Sequence, residues 1–75
     1  MNITLTQLKE IFQSALDEPV EINPETTRDD IEAWDSINHL NLIVELEDKL
    51  NISFTKEEIE KFNSVKELLD ILAKK

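Results

Sequence analysis

Asp35 and Ser36 set a carboxylate beside a hydroxyl just before the amphipathic helical run Ile37-Asn38-His39-Leu40. A nucleophilic serine needs a base within reach and a third group to orient that base. The single histidine, His39, lies one turn along the same helix, and no orienting partner for it is evident in the chain. An independent hydrolase is therefore disfavoured. The structural alternative is an N-cap, because Ser next to Asp ahead of a helix commonly lends a side-chain oxygen to an unpaired backbone N–H. Metal chemistry is weaker still. Asp29, Asp30, Glu32 and Asp35 cluster, but they lack the glycine and terminal glutamate of a calcium loop. With no cysteine there is neither a disulfide nor a thiolate site.

Helix-start signals recur at four places and define what must position Ser36. Thr4-Leu-Thr-Gln7 fits a capping box with Ile3 and Leu8 as its hydrophobic staple. Leu5, Leu8, Ile11, Phe12, Ala15 and Leu16 follow at helical spacing, up to a stop near Asp17 imposed by Pro19. From Glu18 to Trp34 the pattern breaks, with Val20, Ile22 and Ile31 as isolated anchors and Thr27-Arg-Asp-Asp30 as one short helical turn. That is a long loop for a small domain, and its anchors predict an ordered one packed on the core. The second helix is predicted from Asp35 or Ser36 to about Leu50, with Leu40, Ile43, Leu46 and Leu50 inward and Glu45, Asp48 and Lys49 toward water. Thr55-Lys-Glu-Glu58 opens a short helix, stapled by Phe54 and Ile59. Ser64-Val-Lys-Glu67 opens the last one, with Val65, Leu68, Leu69, Ile71 and Leu72 inward. Lys74 and Lys75 then stand at its C-terminal end, where the helix dipole favours cations. Glycine is absent, so Asn51 and Asn63 are the residues expected to take left-handed conformations after helices. The expected fold is all-α: a small bundle of three longer helices plus one short helix, with a long ordered loop between the first and second. Residues 1–75 form a single domain in this reading, with no visible driver of oligomerisation, so a monomer is expected.

Charge narrows the partners. Seventeen acids face eight bases, and the stretch from Asp29 to Glu60 holds ten of the acids and two of the bases. Nucleic acid and anionic membranes select for the opposite sign. An acidic face both solubilises the chain and steers partners with basic patches toward it. The longest apolar stretch is too short to span a bilayer, and Met1-Asn-Ile-Thr4 lacks the basic region of a secretory leader. The expected compartment is the cytoplasm.

The string Trp34-Asp-Ser-Ile-Asn-His-Leu40, followed by Leu42-Ile-Val-Glu-Leu-Glu47 and then Ile52-Ser-Phe54, resembles the acyl carrier protein family. The resemblance covers nearly the whole chain. It implies that Ser36 carries a 4'-phosphopantetheine arm, transferred from coenzyme A by a separate Mg²⁺-dependent phosphopantetheinyl transferase. By the same resemblance Asp35 supports that modification by helping to hold Mg²⁺ in the transferase complex. The chain would then hold acyl groups as thioesters and catalyse nothing itself. Partner docking is implied along the second helix, through Ile37 and Val44 as apolar contacts and Glu45, Glu47 and Asp48 as acidic ones, extended by Glu57 and Glu60. These partners are acyl-activating and acyl-transferring enzymes with basic docking patches.

Fatty-acid-synthesis carriers usually place Gly-Ala or similar before Asp-Ser, with more acid in the following turn. Here Ala33-Trp34 precedes the motif, and Asn38 and Asn41 stand where carboxylates are common. These departures favour a specialised biosynthetic pathway over housekeeping elongation. Trp34 has two readings, packed in the core or touching the arm or a partner. An aminoacyl or peptidyl carrier of the D-alanyl type shares the mechanism. A prosthetic-group-free acidic adaptor, laying its second helix in a partner's groove, is the alternative from another class.

Overall fold

The computed structural model describes residues 3–75. Met1 and Asn2, part of the segment read as lacking a leader, lie outside the described residues. Helix α1 spans Leu5–Leu16 and opens on Thr4, whose hydroxyl accepts Gln7 N–H while the Gln7 side chain accepts Thr4 N–H, the reciprocal box its sequence predicts. It ends at Asp17, which takes the left-handed conformation at φ 56°. Its stripe is as expected, except that Leu5 sits at the margin and is exposed.

Helix α2 runs Ser36–Leu50 and α3 runs Lys56–Lys61, and α4 closes the bundle over Val65–Ala73. Asn51 ends α2 with φ 54°, as expected for an asparagine after a helix. Asn63 differs from expectation and is not left-handed. Its carbonyl accepts Arg28 N–H at 2.7 Å and its N–H donates to Glu67 Oε1 at 3.1 Å, so bonds to other segments fix its backbone.

The loop between α1 and α2 is ordered by named bonds. Thr26, buried, accepts Asn23 N–H on its hydroxyl and Val65 N–H on its carbonyl, which ties the loop to the first residue of α4. Thr27 and Ser64 form an isolated antiparallel bridge beside it. Gln13 Nε2 donates to Val20 O, fastening the loop's start to α1. A 3₁₀ turn over Arg28–Asp30 then redirects the chain toward Ser36.

The core joins Leu8, Phe12 and Leu16 of α1 to Leu42, Ile43 and Leu46 of α2, with Phe62, Val65, Leu68 and Leu72 closing it. Trp34, just before α2, is 2% exposed and meets Phe12 edge to face, with ring centroids 5.1 Å apart. Of its two readings, the core one holds. Leu40 corrects the sequence expectation: it points outward at 59% exposure, and His39 and Leu42 occupy the inward stripe instead. The reason is registration. Trp34 and Phe62 bracket the His39 ring from outside the helix, so α2 is rotated to bury that side. Among the described residues, no helix is long and apolar enough to cross a membrane.

Candidate functional site

Ser36 is the first residue of α2, and the chain leading to it is clamped on both sides. Trp34 N–H donates to Ile31 O, and Trp34 O accepts Arg28 Nε–H at 3.2 Å. Asn38 Nδ2 reaches back to Ala33 O at 2.8 Å, and Asn41 Nδ2 donates to Asn38 Oδ1. Carboxylates at these two positions would lack the N–H donors those bonds need. The amide pair therefore locks the junction at Ser36, which accounts physically for two departures noted in the sequence.

The cap is where the two readings of Ser36 separate. Asp35 is the N-cap: its Oδ1 accepts Asn38 N–H at 2.8 Å. Ser36 is exposed, and among the described residues no hydrogen bond engages its hydroxyl. A capping serine would spend its oxygen on the helix. Here the neighbouring carboxylate takes that role, leaving Ser36 Oγ at a helix N-terminus whose first N–H groups have no intrahelical partners.

His39 is not a base for Ser36. It is 6% exposed, and both ring nitrogens are committed. Nδ1 accepts Trp34 Nε1–H at 2.8 Å, and Nε2 faces Ile59 O at 2.8 Å. Indole N–H can only donate and a carbonyl can only accept, so the neutral Nε2–H tautomer alone satisfies both. Desolvation by burial holds the imidazole pKa below its usual value. The Ile59 carbonyl opposes that shift and the Arg28 charge adds to it.

Of the other residues singled out in the sequence, Ile37 and Val44 are exposed and share one face of α2. Asp48 continues that face and is exposed, as are Glu57 and Glu60 on α3. Glu45 is half-buried and pairs with Lys49 one turn on at 3.1 Å. Glu47 also serves the fold, since its Oε2 accepts Phe54 N–H at 2.8 Å and fastens the link between α2 and α3. The acids from Asp29 to Asp35 do not converge: Asp30 caps the 3₁₀ turn through Thr27 N–H, and among the described residues no three metal-ligating side chains gather.

Sequence reasoning missed two residues here. Leu40 joins Ile37 and Val44 in an exposed apolar stripe, and their spacing of three and four residues signalled it. Arg28 had no local signal. Folding brings it to an open groove of about 380 Å³, lined by Arg28, Ser36, His39, Leu40, Ile59 and Glu60.

A family model described as "Phosphopantetheine attachment site" matches residues 6–72. The solution NMR structure of a holo acyl carrier protein from Geobacter metallireducens is 41% identical, covering 96% of this chain and 84% of that one, with a TM-score of 0.85. Among curated proteins, no significant match to the chain is found. The residues present fit the prosthetic group, since an exposed, unengaged hydroxyl stands at a helix N-terminus with an open groove beside it. The chain is thus a carrier protein with a covalently attached phosphopantetheine, not an enzyme, and it belongs to the acyl carrier protein family.

Proposed function

We propose that Ser36 Oγ is the attachment point, and that the chain presents acyl intermediates to the enzymes of a specialised biosynthetic pathway. The observation that carries this reading is the division of labour at the start of α2, where Asp35 caps the helix and Ser36 Oγ is left unengaged. Attachment forms a bond from Ser36 Oγ to the phosphorus bearing the pantetheine of coenzyme A. It breaks that phosphorus's pyrophosphate bond and releases adenosine 3',5'-bisphosphate. The hydroxyl proton goes to a base other than His39, whose two nitrogens are both engaged. Asp35 keeps a second carboxylate oxygen outside the cap bond, available to Mg²⁺ in that complex. The bound group's thiol carries the cargo as a thioester, while the chain's residues supply the anchor and the docking face.

That face is the stripe Ile37, Leu40 and Val44, continued by Asp48 and flanked by Glu57 and Glu60. Its acids act jointly by drawing in basic patches, since single exposed pairs are worth little. Glu45 and Glu47 contribute less, as each already serves an internal bond. The amides of Asn38 and Asn41 make the turn after Ser36 neutral, which supports partners other than those of housekeeping elongation.

Intact mass tests the anchor. After incubation with coenzyme A and a broad-specificity transferase, the wild type should gain one phosphopantetheine and Ser36→Ala none. Equal gain in both proteins would remove the assignment.

A further inference from the structure

A cargo tethered at Ser36 can lie along the surface or thread into the core, and the groove beside Ser36 shows what stands between. Ser36, His39 and Leu40 come from α2 and Ile59 and Glu60 from α3, so the groove lies over the seam between these helices. Behind it are Trp34 and Phe62, 2% and 0% exposed. His39 occupies the seam, its ring stacked near Trp34 and 4.6 Å from Phe62, and its nitrogens bonded to Trp34 Nε1–H and Ile59 O. The carbonyl needs that bond. Asn63 N–H, its regular helical donor, goes to Glu67 Oε1 instead, and Phe62 N–H goes to Glu58 O. Parting the seam for an alkyl chain would separate His39 Nε2–H from the Ile59 carbonyl, and hydrocarbon replaces neither partner, while Trp34 Nε1–H holds the ring from the α2 side.

We propose that the Trp34–His39–Ile59 brace seals the α2–α3 seam and keeps a Ser36-tethered cargo outside the core. The open groove, with Arg28 and Glu60 in its walls, then suits short or polar acyl groups rather than long alkyl chains. The inference rests on Ser36 as the tether and assigns His39 as the residue that sets cargo class.

The test uses holo protein loaded with acetyl, hexanoyl or dodecanoyl groups, after intact mass has confirmed the load and its absence in Ser36→Ala. Thermal midpoint and emission of the single tryptophan are read across the series. The wild type should show the same midpoint and emission for all three. Burial of several methylenes would raise the midpoint by more than about 4 °C. A length-dependent rise in Ser36-loaded wild type therefore overturns this inference alone, whether or not any variant folds. His39→Ala, where it folds, should acquire that length dependence, and a flat series in the folded variant overturns the role of the brace. Failure to load Ser36 overturns the tether and this inference with it.

Discussion

The two faces of α2 differ in how completely their residues are used. Inward, His39, Leu42, Ile43 and Leu46 are buried, and His39 has both nitrogens bonded. Outward, Ser36, Ile37, Leu40 and Val44 are exposed, and among the described residues no hydrogen bond engages the Ser36 hydroxyl. One side of the helix holds the domain together, and the other is left for contacts made in trans. Stability and carrier function should therefore respond to different substitutions on the same fifteen residues.

The strongest break in that contrast comes from the buried aromatic cluster. Phe62 has no exposed surface and touches the rings of Trp34, His39 and Phe54. Phe62→Ala should cost about 3–5 kcal/mol, against a total of roughly 4–11 kcal/mol for a chain of this length. Urea unfolding should show a variant at the edge of folding. Trp34→Phe keeps a ring but removes the indole N–H, leaving His39 Nδ1 buried without its donor, and should cost about 1–3 kcal/mol.

Acid attacks the same bond without a mutation. Protonated His39 would point an N–H at the indole N–H, two donors face to face. The folded-state pKa lies below 6.5, so between the two values the unfolded chain binds more protons than the native one. The His39 contribution is thus fully present above pH 6.5 and is lost as pH falls through the folded value. His39 is the only histidine, so loss of stability beginning near pH 6.5 reports on it. Glu58, whose pKa is lowered first by Thr55 N–H and then by Lys75, loses its contribution only as pH falls below 4.5. His39→Leu should abolish the upper window and leave the lower one. If the wild type holds its unfolding midpoint between pH 7.5 and 5.5, the brace has been misjudged.

At the boundary between the faces stands Asp35. Asp35→Ala removes the α2 cap and should cost about 1 kcal/mol. Asp35→Asn restores the cap but not the charge. If the carboxylate serves Mg²⁺ as well as the helix, both variants should load phosphopantetheine more slowly while only the alanine variant loses stability. Equal loading by wild type and Asp35→Asn would leave Asp35 a cap alone.

What the sequence made legible was local. The boxes at Thr4 and Thr55 join residues three apart, and both form as expected. Ser36 stood out because Asp, Ser and an apolar run are consecutive. What stayed hidden depended on long-range partners. Leu40 and Leu42 are equally apolar, and packing against α1 and the Trp34–Phe62 cluster decides which of them turns inward. Asn63 suited a left-handed stop, yet Arg28, 35 positions earlier, holds it in another conformation. The two nitrogens of His39 found partners 5 and 20 positions away, on opposite sides of it in the chain. Spacing alone could offer His39 only as a base, because the groups that occupy it are brought together by folding.

The smallest stability effect belongs to the outward stripe, and there the contrast is sharpest. Leu40 is 59% exposed, so Leu40→Ala forfeits little burial and should shift stability by less than about 0.5 kcal/mol. A partner that covers Ile37, Leu40 and Val44 would remove each from water, and losing one such contact typically costs an interface about 1 kcal/mol or more when it lies near the centre. Phosphopantetheine transfer kinetics should therefore show a raised KM with kcat little changed, beside an unaltered urea midpoint. Asp48→Asn should instead lower the association rate and weaken its salt dependence, because a rim charge acts through the field and not through packing. If Leu40→Ala destabilised the fold as Phe62→Ala does, the two faces of α2 would not be separable.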